Sequence, residues 1–232
     1  MNKVQVLHAL YLAYVLGVLS WAAWRTKVRL ESAAGDPGAK ALPSRERILT
    51  STLISLLVLL LFSWKVANFS DIPVFARPEL GAREIVAALV VFAGHFGLRQ
   101  VAIALHTREE MKKSLLVAWM PRTAREWVLY VLVALAAGVA EEASYRGVVW
   151  TLLTWYTGQR WLAALISAVA FGFAHASQRW KSAVVISGIA LMMHGFVAFT
   201  GSLVLAMVVH AAYDVAVGVV ISRRLARQTF AA

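Results

Sequence analysis

The chain has 232 residues, of which 60% are hydrophobic, and carries a formal net charge of +11 with no cysteine. Soluble domains are about 45–50% apolar, so the composition predicts a polytopic helical membrane protein with about six to eight spans. The absence of cysteine excludes disulfides, thiolate nucleophiles and cysteine-ligated metals. In such a protein the positive charge is more typical of cytoplasmic loops than of nucleic-acid binding.

Apolar runs predict an all-α transmembrane bundle of about seven spans. In chain order the runs are 4–24, 48–69, 84–105, 127–155, 161–176, 183–199 and 202–221. The run 127–155 is longer than one bilayer crossing, so it forms either one tilted helix or two pieces that meet near Gly147, and two pieces would give an eighth span. We expect one integral membrane domain over residues 1–232.

Basic residues predict the orientation. They are frequent in the segment 25–47 and in the tail 223–227, which places both on the cytoplasmic side and the N-terminus outside. The polar connection 106–126 contains an apolar patch, 115–119, that we expect to rest on the membrane surface. From the compact chain alone we expect the plasma membrane of a prokaryote.

A charged segment, Glu141-Glu142-Ala-Ser-Tyr-Arg146, interrupts the run 127–155. A charge at bilayer depth costs a few kcal/mol or more, so intramembrane charges are rare and usually functional. On a helix, Glu142 and Arg146 share a face and can pair, whereas Glu141 points about 100° away and has no partner in its own segment. Glu141 is therefore the residue suited to proton transfer.

Polar residues in later spans are the expected partners of Glu141. His175 lies near the end of its run, and His210 and Asp214 stand four residues apart on one helix face. Turning these groups inward avoids the cost of facing lipid. Together they predict one interior space where a water can be activated and an oxyanion stabilised. A proton or ion pathway, or a buried polar network, would also account for this set of residues.

Two further histidines, His95 and His194, also lie inside predicted spans. A lone intramembrane histidine more often makes a hydrogen bond between helices than a catalytic contact. We expect that structural role for both.

The residues resemble the CAAX prenyl endopeptidase and bacteriocin-processing (CPBP, or abortive-infection) family of intramembrane proteases. That family is marked by Glu-Glu-x-x-x-Arg, Phe-x-x-x-His and His-x-x-x-Asn or Asp, which here begin at Glu141, Phe171 and His210 in the same order. Each motif alone is weak, but three in order in apolar spans form a specific signal. The resemblance covers about residues 127–221, the predicted catalytic core, and the first 126 residues carry no matching motif.

The resemblance implies an intramembrane endopeptidase that cleaves a membrane-associated protein or peptide. By analogy, Glu141 is the general base that activates water, His175 assists it, and His210 lines the oxyanion side with Asp214. The residues expected to support the site are Glu142, Arg146 and Phe171.

Position 214 departs from the asparagine that is frequent in prenyl-protein proteases. An ionised aspartate cannot donate a hydrogen bond to an oxyanion. Asp214 must therefore be protonated or must instead orient His210.

The sequence favours catalysis without a cofactor. The zincin pattern His-Glu-x-x-His is absent, so we expect a glutamate-activated water. The alternative is a zinc site with an open position, for which the ligands would be Glu141, His175 and His210.

Two other function classes remain open. A proton-coupled transporter could use the same glutamates and histidines as a relay, and a catalytically silent scaffold or immunity factor is the second. A transporter should show a broken helix or an inverted repeat, and the sequence shows neither. Simple alternation of spans also puts Glu141 and His175 at different depths, which a tilted long helix or a short re-entrant piece would correct.

Overall fold

The computed structural model describes residues 2–33, 43–78, 80–107, 120–176 and 180–229, and all regular secondary structure in these ranges is helical. The helices, in chain order, are α1 (Lys3–Leu12), which continues through a π-helical segment (Ala13–Val18) into α2 (Leu19–Ala33), α3 (Arg45–Phe69), α4 (Ala82–Ala104), α5 (Ala124–Glu141), which continues through a second π-helical segment (Glu142–Val149) into α6 (Trp150–Thr157), α7 (Arg160–Ala174), α8 (Trp180–Thr200) and α9 (Leu203–Thr229).

The prediction of an all-α bundle with about seven spans is confirmed. Within the described ranges, six helices are long and apolar enough to cross a membrane. The seventh, α7, is a shorter apolar helix of 15 residues. The run 127–155 belongs to one continuous helix, Ala124–Thr157, rather than to two crossings. The apolar patch 115–119 lies outside the described residues.

Helix ends in the central part of the chain follow from local residues. A capping box starts α5, because the side chain of Thr123 accepts a hydrogen bond from the Glu126 backbone and Glu126 accepts one from the Thr123 backbone. Gly158 ends α6 in the left-handed conformation, with φ 67°, which glycine adopts without steric cost. The tight turn that follows lets α7 run back along α6, where the Trp150 indole donates a hydrogen bond of 2.9 Å to the Arg160 carbonyl oxygen.

Small residues let helices of the bundle approach closely. A Cβ atom on Gly138 would lie 2.7 Å from the Met207 carbonyl oxygen and 2.8 Å from the Cβ of Ala211. Gly172 faces the backbone of Ala183 on α8 in the same way, at 2.5 Å. Small residues at helix contacts are typical of membrane bundles. The contact at Gly138 brings α5 against α9 just before Glu141.

Candidate active site

The charged motif begins at Glu141, the last residue of α5, and the rest of it lies in the π-helical segment between α5 and α6. All of its residues, Glu142–Val149, are buried. A π-helical turn inserts an extra residue into a helix, and such turns are frequent at functional sites. A neighbouring helix supports the segment, because the Ser167 hydroxyl of α7 donates a hydrogen bond of 2.9 Å to the Tyr145 carbonyl oxygen.

The pairing expected from the spacing of Glu142 and Arg146 is present. One guanidinium nitrogen of Arg146 lies 3.1 Å from Glu142 Oε1, and the two side chains are 1% and 0% exposed. Arg146 also donates a hydrogen bond of 3.3 Å to the Ala190 carbonyl oxygen of α8, and its guanidinium lies 4.6 Å from the centre of the Phe171 ring. The buried cation therefore connects three segments of the bundle.

His210 lies between the two adjacent glutamates. Its Nδ1 donates a hydrogen bond of 2.8 Å to Glu142 Oε1. Its Nε2 lies 3.7 Å from Glu141 Oε2 and 3.6 Å from Asp214 Oδ2. Glu142 is fully buried, whereas the side chains of Glu141 and Asp214 are 16% and 33% exposed. Of the two glutamates, Glu141 is the one that a water molecule can reach.

His175 follows the last residue of α7, and its orientation is set by the backbone. Its Nδ1 donates a hydrogen bond of 2.8 Å to the Phe171 carbonyl oxygen. The hydrogen bond made by one ring nitrogen decides which tautomer is present. Nε2 of neutral His175 therefore keeps its lone pair and can accept a proton.

The Phe171 ring is the point at which the three motifs meet. Its centroid lies 4.6 Å from that of His175 and 6.4 Å from that of His210, and the Arg146 guanidinium covers it. The edge of Tyr145 packs against it at 4.9 Å. Phe171 thus lies between one residue from each motif, in the interior of the bundle.

The short α7 runs beside the second half of the helix that carries Glu141. It starts beside Trp150 and places Ser167 and Phe171 against Tyr145. Its 15 residues cover about 22 Å at about 1.5 Å per residue. It therefore ends part-way along the helix Ala124–Thr157.

The zinc alternative would use Glu141 and the Nε2 atoms of His175 and His210. Among the residues that the structure describes, no group of three or more histidine or acidic side chains is arranged to hold a metal ion. The Nδ1 atoms of His175 and His210 donate to Phe171 and Glu142, and metal-ligating histidines make the same kind of hydrogen bond with their other ring nitrogen.

The two further histidines of the predicted spans, His95 and His194, are buried and pack against aromatic rings. His194 is fully buried, its ring lies 4.9 Å from the Trp150 ring, and neither ring nitrogen has a hydrogen-bond partner among the described residues. His95 donates from Nδ1 to Val91 of its own helix, and its ring lies 4.7 Å from the Tyr213 ring. Within the described ranges, the expected hydrogen bonds between helices are therefore found for neither residue.

Sequence reasoning missed Tyr11, which contacts the motif, and Ser63, which contacts Tyr11. Tyr11 of α1 and Ser63 of α3 are fully buried, and the Tyr11 hydroxyl lies 2.8 Å from the hydroxyl of Ser144. A tyrosine or serine within an apolar run is ordinary, so the sequence holds no signal that would single them out.

Comparison with known proteins supports the motif-based resemblance. A family model described as "Type II CAAX prenyl endopeptidase Rce1-like" matches residues 123–216, which include all three motifs. No curated protein and no solved structure gives a significant match to the chain. The resemblance to this family is thereby confirmed over residues 123–216. At the level of the family, the match supports a CAAX-protease-like intramembrane endopeptidase in a multi-pass membrane protein.

Proposed function

We propose that this protein hydrolyses a peptide bond of a membrane-associated protein or peptide, with a water molecule activated by Glu141. The observation that carries the proposal is the position of His210, which meets Glu141, Glu142 and Asp214 inside the bundle. A polar group within a membrane is costly and is usually functional. The family match supports the same reaction class.

Glu141 is the general base of this mechanism. Its carboxylate is partly accessible, and its contact with His210 is long, at 3.7 Å, so an oxygen remains available to a water molecule. Glu141 accepts a proton from the water while the water oxygen bonds to the carbonyl carbon of the substrate. The lone pair on Nε2 of His175 assists this transfer. The proton then moves to the leaving amine nitrogen as the C–N bond breaks.

His210 stabilises the negative charge that develops on the carbonyl oxygen. When Nε2 is protonated it is a donor, and a donor aimed at the developing charge lowers the barrier. Glu142 accepts the hydrogen from Nδ1 and holds the ring in place. Asp214, 3.6 Å from Nε2, orients the same ring. This role does not require Asp214 to donate to the oxyanion.

A cleavage assay in lipid nanodiscs tests the proposal. The substrates are membrane-anchored peptides with CAAX-type and unrelated C-termini, each with and without a prenyl group. We expect cleavage of at least one peptide, detected by mass spectrometry, and no cleavage by Glu141→Gln. A covalent acyl-enzyme trapped during turnover would contradict direct attack by water. Proton-coupled uptake into liposomes without any cleavage would favour the transporter.

A further inference from the structure

A chain of three hydroxyl groups connects the N-terminal helices to the charged motif. The Tyr11 hydroxyl lies 2.8 Å from the Ser63 hydroxyl and 2.8 Å from the Ser144 hydroxyl. All three residues are fully buried. Tyr11 and Ser63 lie on α1 and α3, outside the stretch that matches the family model, whereas Ser144 lies inside the motif.

The direction of the hydrogen bonds follows from the carbonyl group that lies at the Ser63 end of the three hydroxyls. The Ser63 hydroxyl donates to the Leu59 carbonyl oxygen at 2.7 Å. Its oxygen therefore accepts from Tyr11, and the Tyr11 oxygen accepts from Ser144. Each hydroxyl donates once along the chain, and hydrogen bonds in such a chain strengthen one another in a low-dielectric interior.

The chain of hydroxyl groups reaches the π-helical segment at a position that matters for the site. Ser144 lies between Glu142 and Arg146 in the sequence, and Ser167 holds the Tyr145 carbonyl oxygen from α7. The segment is thus fixed by hydrogen bonds from two other parts of the bundle. A shift of one residue would turn its side chains by about 100° and would move the glutamates away from His210.

We propose that Tyr11 is a positioning residue, which acts through Ser144 to hold the π-helical segment so that Glu141 and Glu142 both face His210. This inference rests on the proposed function for its effect on catalysis, but the holding of the segment is independent of the reaction. It gives the N-terminal helices a defined task in the site.

Tyr11→Phe removes the central hydroxyl and keeps the ring. The matched control is Tyr14→Phe, because Tyr14 lies on the same helical rod, packs against Phe62 and has no hydroxyl hydrogen bond among the described residues. Two quantities are measured in nanodiscs: the amide hydrogen exchange of residues 141–149, and kcat and KM for a cleaved peptide.

We expect Tyr11→Phe to speed amide exchange in residues 141–149 and to lower kcat by about 10- to 100-fold, the scale of a small misplacement of catalytic groups. KM should change by less than about twofold, because the interaction is needed in the transition state rather than for binding. Tyr14→Phe should leave both quantities near those of the parent protein.

A double-mutant cycle that combines Tyr11→Phe with Ser144→Ala tests whether Tyr11 acts through Ser144. If Tyr11 acts through Ser144, the double variant should be no slower than Ser144→Ala, whereas independent effects would multiply. Multiplied losses would overturn the proposal. So would a lower melting temperature of Tyr11→Phe with unchanged exchange in 141–149 and an unchanged kcat for the folded fraction.

The two proposals fail in different ways. If the parent protein cleaves none of the peptides, the proposed function fails, and faster exchange in Tyr11→Phe alone would still support the holding of the segment. If the parent cleaves and Tyr11→Phe matches it in kcat, the positioning role is wrong and the protease function stands.

Discussion

The first three spans and the later ones differ in how much of their length lies inside the protein. The buried share is 17%, 22% and 11% for the N-terminal spans, against 44% for Ala124–Thr157, 28% for Trp180–Thr200 and 39% for Leu203–Arg224. The three motifs all lie in the second group and in α7. Most of the length of the N-terminal spans therefore lies on the outside of the described bundle, and the three motifs lie where side chains can be enclosed.

This difference shows why charged residues are tolerated at the centre of the bundle. Glu142 and Arg146 are almost completely buried, but each contacts an opposite charge and a further partner. A buried charge without a partner is strongly destabilising. In the N-terminal part, by contrast, the basic residues Arg25, Lys27 and Arg29 follow the apolar run of the first helix. Substitutions in the two parts of the chain should therefore differ in the size of their effects.

The largest effect is expected for the accessible glutamate of the motif. Glu141→Gln keeps the shape and removes the base, so turnover should fall by at least roughly 10²–10⁴-fold with little change in melting temperature. Glu46→Gln, an exposed change in the N-terminal part, should have no such effect. Cleavage rates and melting curves in detergent provide the test. An active Glu141→Gln beside a folded but inactive Glu142→Gln would reverse the two assignments.

Substitution of the buried glutamate should lower the stability of the protein at least as clearly as it lowers the cleavage rate. Glu142→Gln leaves Arg146 without its charge partner, and breaking a buried pair in this way costs about 3–5 kcal/mol. The free energy of unfolding, measured by denaturant titration in detergent, should fall by about that amount. A variant as stable as the parent protein would mean that the pair does not support the fold.

Two glycine substitutions compare a close helix contact in the later part of the chain with an open position in the N-terminal part. Gly138→Ala places a methyl group against Met207 and Ala211 of α9, so it should cost about 1–3 kcal/mol and slow cleavage by moving Glu141 from His210. Gly97→Ala, where no atom lies within 4 Å of the new Cβ, should be neutral or slightly stabilising. Thermal denaturation of both variants measures the difference, and equal effects would show that the α5–α9 contact is not tight.

The smallest effect is expected from chelation. The purified protein should keep its cleavage rate after exhaustive treatment with a chelator, because the proposed base is Glu141 and the base needs no metal. The rate is measured before treatment, after it and after addition of zinc. A loss that zinc restores would make His175 and His210 ligands of a metal-dependent mechanism.

The sequence predicts much of the fold and part of the site. Apolar runs locate the helices, and the spacing of Glu142 and Arg146 predicts their contact, because length and helical period are local properties. The π-helical turn is different. Hydrophobic periodicity in an apolar run such as 127–155 does not reveal an inserted residue, since every face of the helix is apolar.

The features that could not be predicted from the sequence depend on contacts between helices that are distant along the chain. The position of α7, which brings Phe171 against Tyr145, depends on where that helix ends against its neighbour. The contact of Tyr11 with Ser144 joins residues that are 133 positions apart. Neither residue type is unusual in an apolar run, so only the packed bundle reveals the contact.

The number of residues between Gly138 and Trp150 matters for the site, because the π-helical segment contains one residue more than a regular helix. A deletion of one residue from 142–149 would allow a regular α-helix that still spans the bilayer, because the π-helical turn holds one residue more than an α-helix needs over the same length. One end of this helix is fixed by Gly138 against α9, and the other by Trp150 against α7. A regular helix would keep both contacts in phase, whereas the charged residues between them would turn by up to about 100°. Loss of a single codon here would thus leave a helix able to insert and pack, with its charged residues turned away from His210.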